Sequence, residues 1–183
     1  GNAGAIVLTT GGVKGSGFDF IDDGKPRDAS LFLDGSLSGY SLGAGGKFEI
    51  NTSALILGEK FVSDSRNWSR GDRLAAGQVG AALDDEFFNR GGFYDFKLVG
   101  RDGVNVVKDA HIAPLPISWS LATVAGSRFR ATGSDIGSFA KSVVLHSDLR
   151  SAPTKLSLAT RSLKFGDLVV DEGAYLGVSP TGT

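Results

Sequence analysis

The feature that most constrains the fold is a recurring pattern of short runs in which apolar and polar residues alternate. Each run is cut off within a few residues by Gly, Asp or Asn. Residues 29–35, 46–51, 94–98, 103–107, 154–159 and 174–178 alternate in this way, the mark of strands with one buried face. Ile6-Val-Leu8, Leu55-Ile-Leu57, Val143-Val-Leu145 and Leu168-Val-Val170 are short apolar runs, expected as more deeply buried strands. None is long enough for a helix of ordinary length, so the chain is expected to be all-β.

Composition agrees. Gly supplies 27 of 183 residues, and the acidic residues divide into 16 Asp and only 4 Glu, with one Gln. Asp and Gly favour turns and caps, whereas Glu and Gln favour helix interiors. The length suits one domain with its own core. A net charge of −1 argues against nucleic acid as a partner, which would call for a basic excess. No apolar run reaches the ~20 residues of a membrane-spanning helix, and residues 1–17 lack the pattern of a signal peptide. Cys and Met are both absent. A Met-free chain opening on Gly1 is expected to be a processed product or a piece of a longer protein. The lack of Cys suits export through a narrow outer-membrane pore, which a disulfide-closed loop could not thread.

Asp-Gly recurs at Asp23-Gly24, Asp34-Gly35 and Asp102-Gly103, and both Gly100-Arg-Asp-Gly103 and Val170-Asp-Glu-Gly173 read as tight corners between strands. The runs centre near 97, 105 and 112, and again near 157, 169 and 176. Such short, uneven spacing suits three short sides of a coil better than hairpins of matched length. The reading is a parallel β-helix, with an antiparallel sandwich as the alternative. In the coil, Leu31, Leu33, Phe48, Ile50, Phe96, Leu98, Val104, Val106, Leu156, Leu158, Leu168 and Leu176 face inward. At roughly 20–25 residues per coil the chain would make about eight turns, a rod about 40 Å long. Residues 59–90 break the pattern and read as an insertion leaving the coil. Within it Asp84 or Asp85 can cap a short helix through Phe87 and Phe88, which Gly91 would end.

The segment Phe87-Phe-Asn-Arg-Gly-Gly-Phe-Tyr-Asp-Phe-Lys-Leu-Val-Gly-Arg-Asp-Gly-Val-Asn-Val106, followed by Ile112-Ala-Pro114, resembles a region of bacterial filamentous-haemagglutinin-like exoproteins. Residues 31–35, 45–50 and 166–180 are similar to that family's repetitive turns. The resemblance implies a right-handed parallel β-helix belonging to a long chain exported by two-partner secretion. Its partners would be an outer-membrane transporter barrel during export and a host or neighbouring-cell surface glycan or protein afterwards. The localisation implied is secreted, at the bacterial cell surface. The Asn-Pro-Asn-Gly secretion motif is not present, so this window would come from the body or carboxy-terminal region.

Motifs that carry chemistry are sparse. His111 and His146 show no metal-ligand spacing, and no Ser lies in a G-x-S-x-G elbow. The run from Ser41 to Lys47 fails the phosphate-loop pattern twice and reads as a flexible corner. Gly15, Gly17 and Asp19 hold one copy of a calcium nonapeptide that needs stacked copies. No catalytic, cofactor-binding or metal residue is therefore assigned, and no cofactor is expected. The rival is a polysaccharide-active β-helix enzyme drawing carboxylates from Asp22-Asp23 or Asp84-Asp-Glu86 and cations from Arg101 or Arg128. A subunit of an extracellular or phage fibre is the third reading. The favoured one is a catalytically inert structural or adhesive segment, binding through its flank or through the 59–90 stretch, where Trp68 and the Phe pair break the surface. With strand-like runs near both termini and no capping pattern, the chain is expected to continue in a parent protein or to associate end to end.

Overall fold

The computed structural model describes residues 3–10, 31, 33, 35–41, 45–59, 80–115, 117–121, 140–144, 153–160 and 167–178. In chain order these form β1 (Ala5–Thr9), β2 (Gly46–Leu57), β3 (Gly80–Leu83), α1 (Asp85–Phe88), β4 (Phe93–Val106), β5 (His111–Ile112), β6 (Ile117–Leu121), β7 (Ala140–Val144), β8 (Lys155–Ala159), β9 (Asp167–Val170) and β10 (Tyr175–Leu176). The fold is all-β, and its main sheet is parallel and bends almost far enough to close on itself.

Parallel neighbours place like residues over like. Through the first half of β2 the order is β1-β2-β4-β8, so Ile6, Phe48, Phe96 and Leu156 stack in one column and Leu8, Ile50, Leu98 and Leu158 in the next. Through the second half the order is β3-β2-β4-β9, stacking Ala81, Leu55, Val104 and Leu168, then Leu83, Leu57, Val106 and Val170. A third, two-stranded pairing sets β10 beside β5, with Leu176 on Ile112. Phe48, Ile50, Phe96, Leu98, Val104 and Val106 are wholly buried, and Leu31, Leu33, Leu156, Leu158 and Leu176 are partly buried against them. The alternation in the sequence thus becomes a continuous apolar interior. Residues of opposite parity carry the charge: Lys97 Nζ meets Glu49 at 2.8 Å and Lys47 meets Asp95 at 3.7 Å on the outer face.

The bend between the two halves comes from unequal strand lengths. Thr52 faces Gly100 and Ala54 faces Gly103, so Ser53 alone opposes Arg101 and Asp102. The expected corner at Gly100–Gly103 is a bulge inside one long strand. A β-carbon on Gly100 would overlap the Gly103 carbonyl oxygen, so the tight bend needs glycine there. A second corner is repeated from level to level. The Ala110 N–H donates to Val107 O and the Ala174 N–H to Asp171 O, both at 3.2 Å, while the Asp109 N–H donates to Glu172 O between the two turns.

The helix forms as its sequence requires. Asp84, extended at φ −75° and ψ 168°, caps α1 by accepting the Phe87 N–H at 2.8 Å. Phe87 and Phe88 enter the core against Phe48 and Phe96. Replacing Asp84 by Ala should remove about 1 kcal/mol and lower Tm by about 2–4 °C in a thermal melt followed by circular dichroism.

Several expectations are corrected. The first column steps from Ile6 to Phe48, then to Phe96 and to Leu156, so each level is reached only after a long excursion of the chain. A regular rod of short, equal turns therefore does not describe this protein. The pairing is not all parallel: β6 and β7 are antiparallel to each other. Val143 and Val144 lie in β7 and are exposed, as are Leu168, Val169 and Val170 in β9. Among the described residues nothing packs over either strand as it does over β2 and β4. Leu168 keeps its place in the inward column but is 49% exposed. Leu31 and Leu33 are in no strand, although the Leu31 N–H donates to Gly80 O. Of the 59–90 stretch, residues 60–79 lie outside the described residues; in the rest, Gly80–Leu83 form β3 and Phe87 and Phe88 join the core.

Candidate functional site

The best-built local arrangement surrounds Gly91-Gly92-Phe93, where the chain leaves α1 and enters β4. Both glycines adopt positive φ, 85° and 70°. A side chain on Gly92 would collide with the Tyr40 ring, and one on Gly91 would come within 2.7 Å of the Leu37 carbonyl oxygen. The bare backbone lets the 37–41 segment lie directly over the junction. The Gly91 N–H donates to the Tyr40 hydroxyl at 3.2 Å and the Gly39 N–H donates to Gly91 O. Phe93 fills the interior beneath, 5.6 Å from Phe48 and 6.1 Å from Phe96 between ring centres.

The antiparallel β6–β7 pair docks on the same segment. Trp119 meets Tyr40 edge-on at 5.6 Å, its main-chain N–H donates to Ser41 O, and the Ser118 hydroxyl donates to that same oxygen. Sequence reasoning missed this anchor, although Ile117-Ser-Trp-Ser-Leu121 carries the alternation that marks a strand. Ser41, expected in a flexible corner, is the acceptor that fixes the pair.

Two acids of the 84–86 cluster accept main-chain N–H groups. Asp84 is spent as the helix cap, and Asp85 Oδ2 accepts the His111 N–H at 3.1 Å. Glu86 sits 4.0 Å from Arg90, a residue that also approaches Asp84. The three adjacent acids lie at a helix start, where the first-turn carboxylates favour the helix dipole. His111 is exposed and stacks flat on Tyr175 at 4.7 Å. Arg101 lies in the bulge of β4. Among the described residues no group of three His, Cys, Asp or Glu is placed to hold a metal ion, and no helix is long and apolar enough to cross a membrane. Asp19, Asp22, Asp23, Trp68, Arg128 and His146 lie outside the described residues.

The Phe pair is not a surface feature. Phe87 and Phe88 are buried, so neither is available to bind a partner, which corrects that part of the binding expectation. Apart from Val7 in β1 and Val143 and Val144 in β7, the large apolar side chains exposed among the described residues gather elsewhere, at the β9–β10 end. Leu168, Val169, Val170, Tyr175 and Val178 are each exposed there, beside Asp167, Asp171 and Glu172. Comparison with protein-family models, with curated proteins and with solved structures gives no match.

Proposed function

We propose that the chain is a segment of a right-handed parallel β-helix, serving as a rigid, non-catalytic structural or adhesive part of a large, secreted, cell-surface filamentous exoprotein similar to the filamentous haemagglutinins. The supporting observation is the in-register parallel stacking of strands that lie far apart in the sequence, with like residues in continuous inward columns. One level of such a stack cannot bury its apolar face alone, whereas neighbouring levels bury it for each other. Right-handed crossover is the hand that twisted strands adopt almost without exception. Export through an outer-membrane barrel fits a chain without Cys.

The enzymatic alternative needs carboxylates free to act together on one face. Asp84 and Asp85 are instead held by main-chain N–H groups. The test is to immobilise the purified chain, probe it with a glycan array and with host epithelial cells, and incubate it in parallel with acidic and neutral polysaccharides. Retention on a glycan or on cells, with no new reducing ends or unsaturated products, is expected. Product formation would refute the non-catalytic reading, and absence of any retention would remove the adhesive one.

A further inference from the structure

Among the described residues, one side of the parallel sheet is unfinished. Leu168 and Val170 occupy the same inward columns as Val104 and Val106, yet they are 49% and 47% exposed where the residues beneath them are 1% and 0%. The opposite side differs in its β3 half, where Ala81 and Leu83 are buried and the Leu31 N–H caps the main chain at Gly80, while β1 in its other half pairs only with β2 among the described residues. β8 and β9 each pair only with β4 among the described residues.

Ladder alternation tells which main-chain groups are left over. The Asp171 N–H donates to Val106 O, so Asp167, Val169 and Asp171 turn their amides toward β4 and Leu168 and Val170 turn theirs outward. On the adjoining half, Lys47 and Thr10 donate across the β1–β2 boundary, to Gly4 O and Asn51 O. The odd residues of β2 therefore serve β1 and its even residues serve β4. Carried through the register, Leu156 and Leu158 of β8 also point outward.

We infer that this side is a two-fold junction with a second copy of the chain, in which β8 of each copy pairs antiparallel with β9 of the other. Setting Leu156 opposite Val170 and Leu158 opposite Leu168 makes two hydrogen-bonded pairs, because all four residues carry outward amides. The same register continues the inward apolar columns across the junction. It also sets Lys155 opposite Asp171, opposite charges, and the two-fold axis repeats that pair. The alternative, β9 against β9 of the second copy, would set Asp167 against Asp171 twice, like against like. On the opposite side β1 is partly exposed but β3 is buried, so direct head-to-tail stacking would engage only half of that side. The inference rests on the edge that β8 and β9 leave unpaired among the described residues and on its charge register, and is independent of the adhesive reading.

The experiment is sedimentation equilibrium of the 183-residue chain over a dilution series, with thermal melts of every variant. Association that stops at the dimer is expected. Asp171→Lys should weaken it about tenfold or more, since two attractive pairs become repulsive. The double variant Lys155→Asp/Asp171→Lys should restore it. Asp95 lies beside position 155 in the same sheet, so a second probe avoids that site. Val170→Pro removes only an outward N–H, and it should abolish the dimer while leaving the monomer's melting little changed. A monomer at every concentration, growth beyond the dimer, or a dimer indifferent to both Asp171→Lys and Val170→Pro would overturn the inference.

Discussion

Phe96→Asp is expected to abolish folding at about 25 °C. Phe96 has no exposed surface, and its ring lies 5.3 Å from Phe88, 6.1 Å from Phe93, 6.3 Å from Phe48 and 6.4 Å from Phe87. It is the one side chain in contact with all four of the other rings, so its loss opens a cavity in the aromatic cluster and not at its margin. Truncating a buried Phe costs about 3–5 kcal/mol from lost transfer and cavity alone. An unpaired carboxylate in that space adds several more, against a total domain stability of about 5–15 kcal/mol. Far-UV circular dichroism should show no cooperative melt. Phe96→Leu, which keeps an apolar filling, should fold and lose about 1–2 kcal/mol. A native-like melt for Phe96→Asp would show that the five rings do not form one core.

The second large effect is expected from Gly92→Val. At φ 70° a β-branched residue is strained by about 1–2 kcal/mol, and its Cβ would in addition collide with the Tyr40 ring. Relieving the collision means lifting Tyr40, which costs its hydrogen bond to Gly91 N–H and its edge contact with Trp119. The sum should be about 2–4 kcal/mol, read as a lower urea midpoint. Trp119 fluorescence should shift as well, because the β6–β7 pair loses part of its seat. Gly4→Val, with nothing within 4 Å of the new Cβ, should change stability by less than about 0.5 kcal/mol. If the two variants melted alike, the glycine pair would be a matter of composition and not of packing.

Local chemistry was legible in the residues. Period-two alternation marked the first half of β2, both halves of β4, β8 and β10, because a strand with one buried face writes that period directly into the sequence, and short apolar runs marked β1, the second half of β2 and β9. The helix start was readable to within Asp84 or Asp85, of which Asp84 is the cap, but the helix ends at Asn89, ahead of the expected stop at Gly91. The grouping of runs near 97, 105 and 112 with those near 157, 169 and 176 foretold that β4–β5 and β8–β9–β10 repeat one pattern, and the registers bear that out.

What the sequence could not carry was distance along the chain. Alternation says that Phe48, Phe96 and Leu156 face inward. It does not say that they stack on one another, because the long stretches between them leave no mark on the strands they join. Whether an apolar run is buried depends on a neighbour that can lie anywhere in the chain. Leu55-Ile-Leu57 and Leu168-Val-Val170 look alike as sequence, yet the first lies between β3 and β4 while the second has β4 on one side only among the described residues. The tertiary structure alone made one core and the other surface. The Gly91-Gly92 pair shows the same division. Its residues announce a backbone that bends where others cannot, but only the fold brings Tyr40, from well back in the chain, to lie where a side chain would have been.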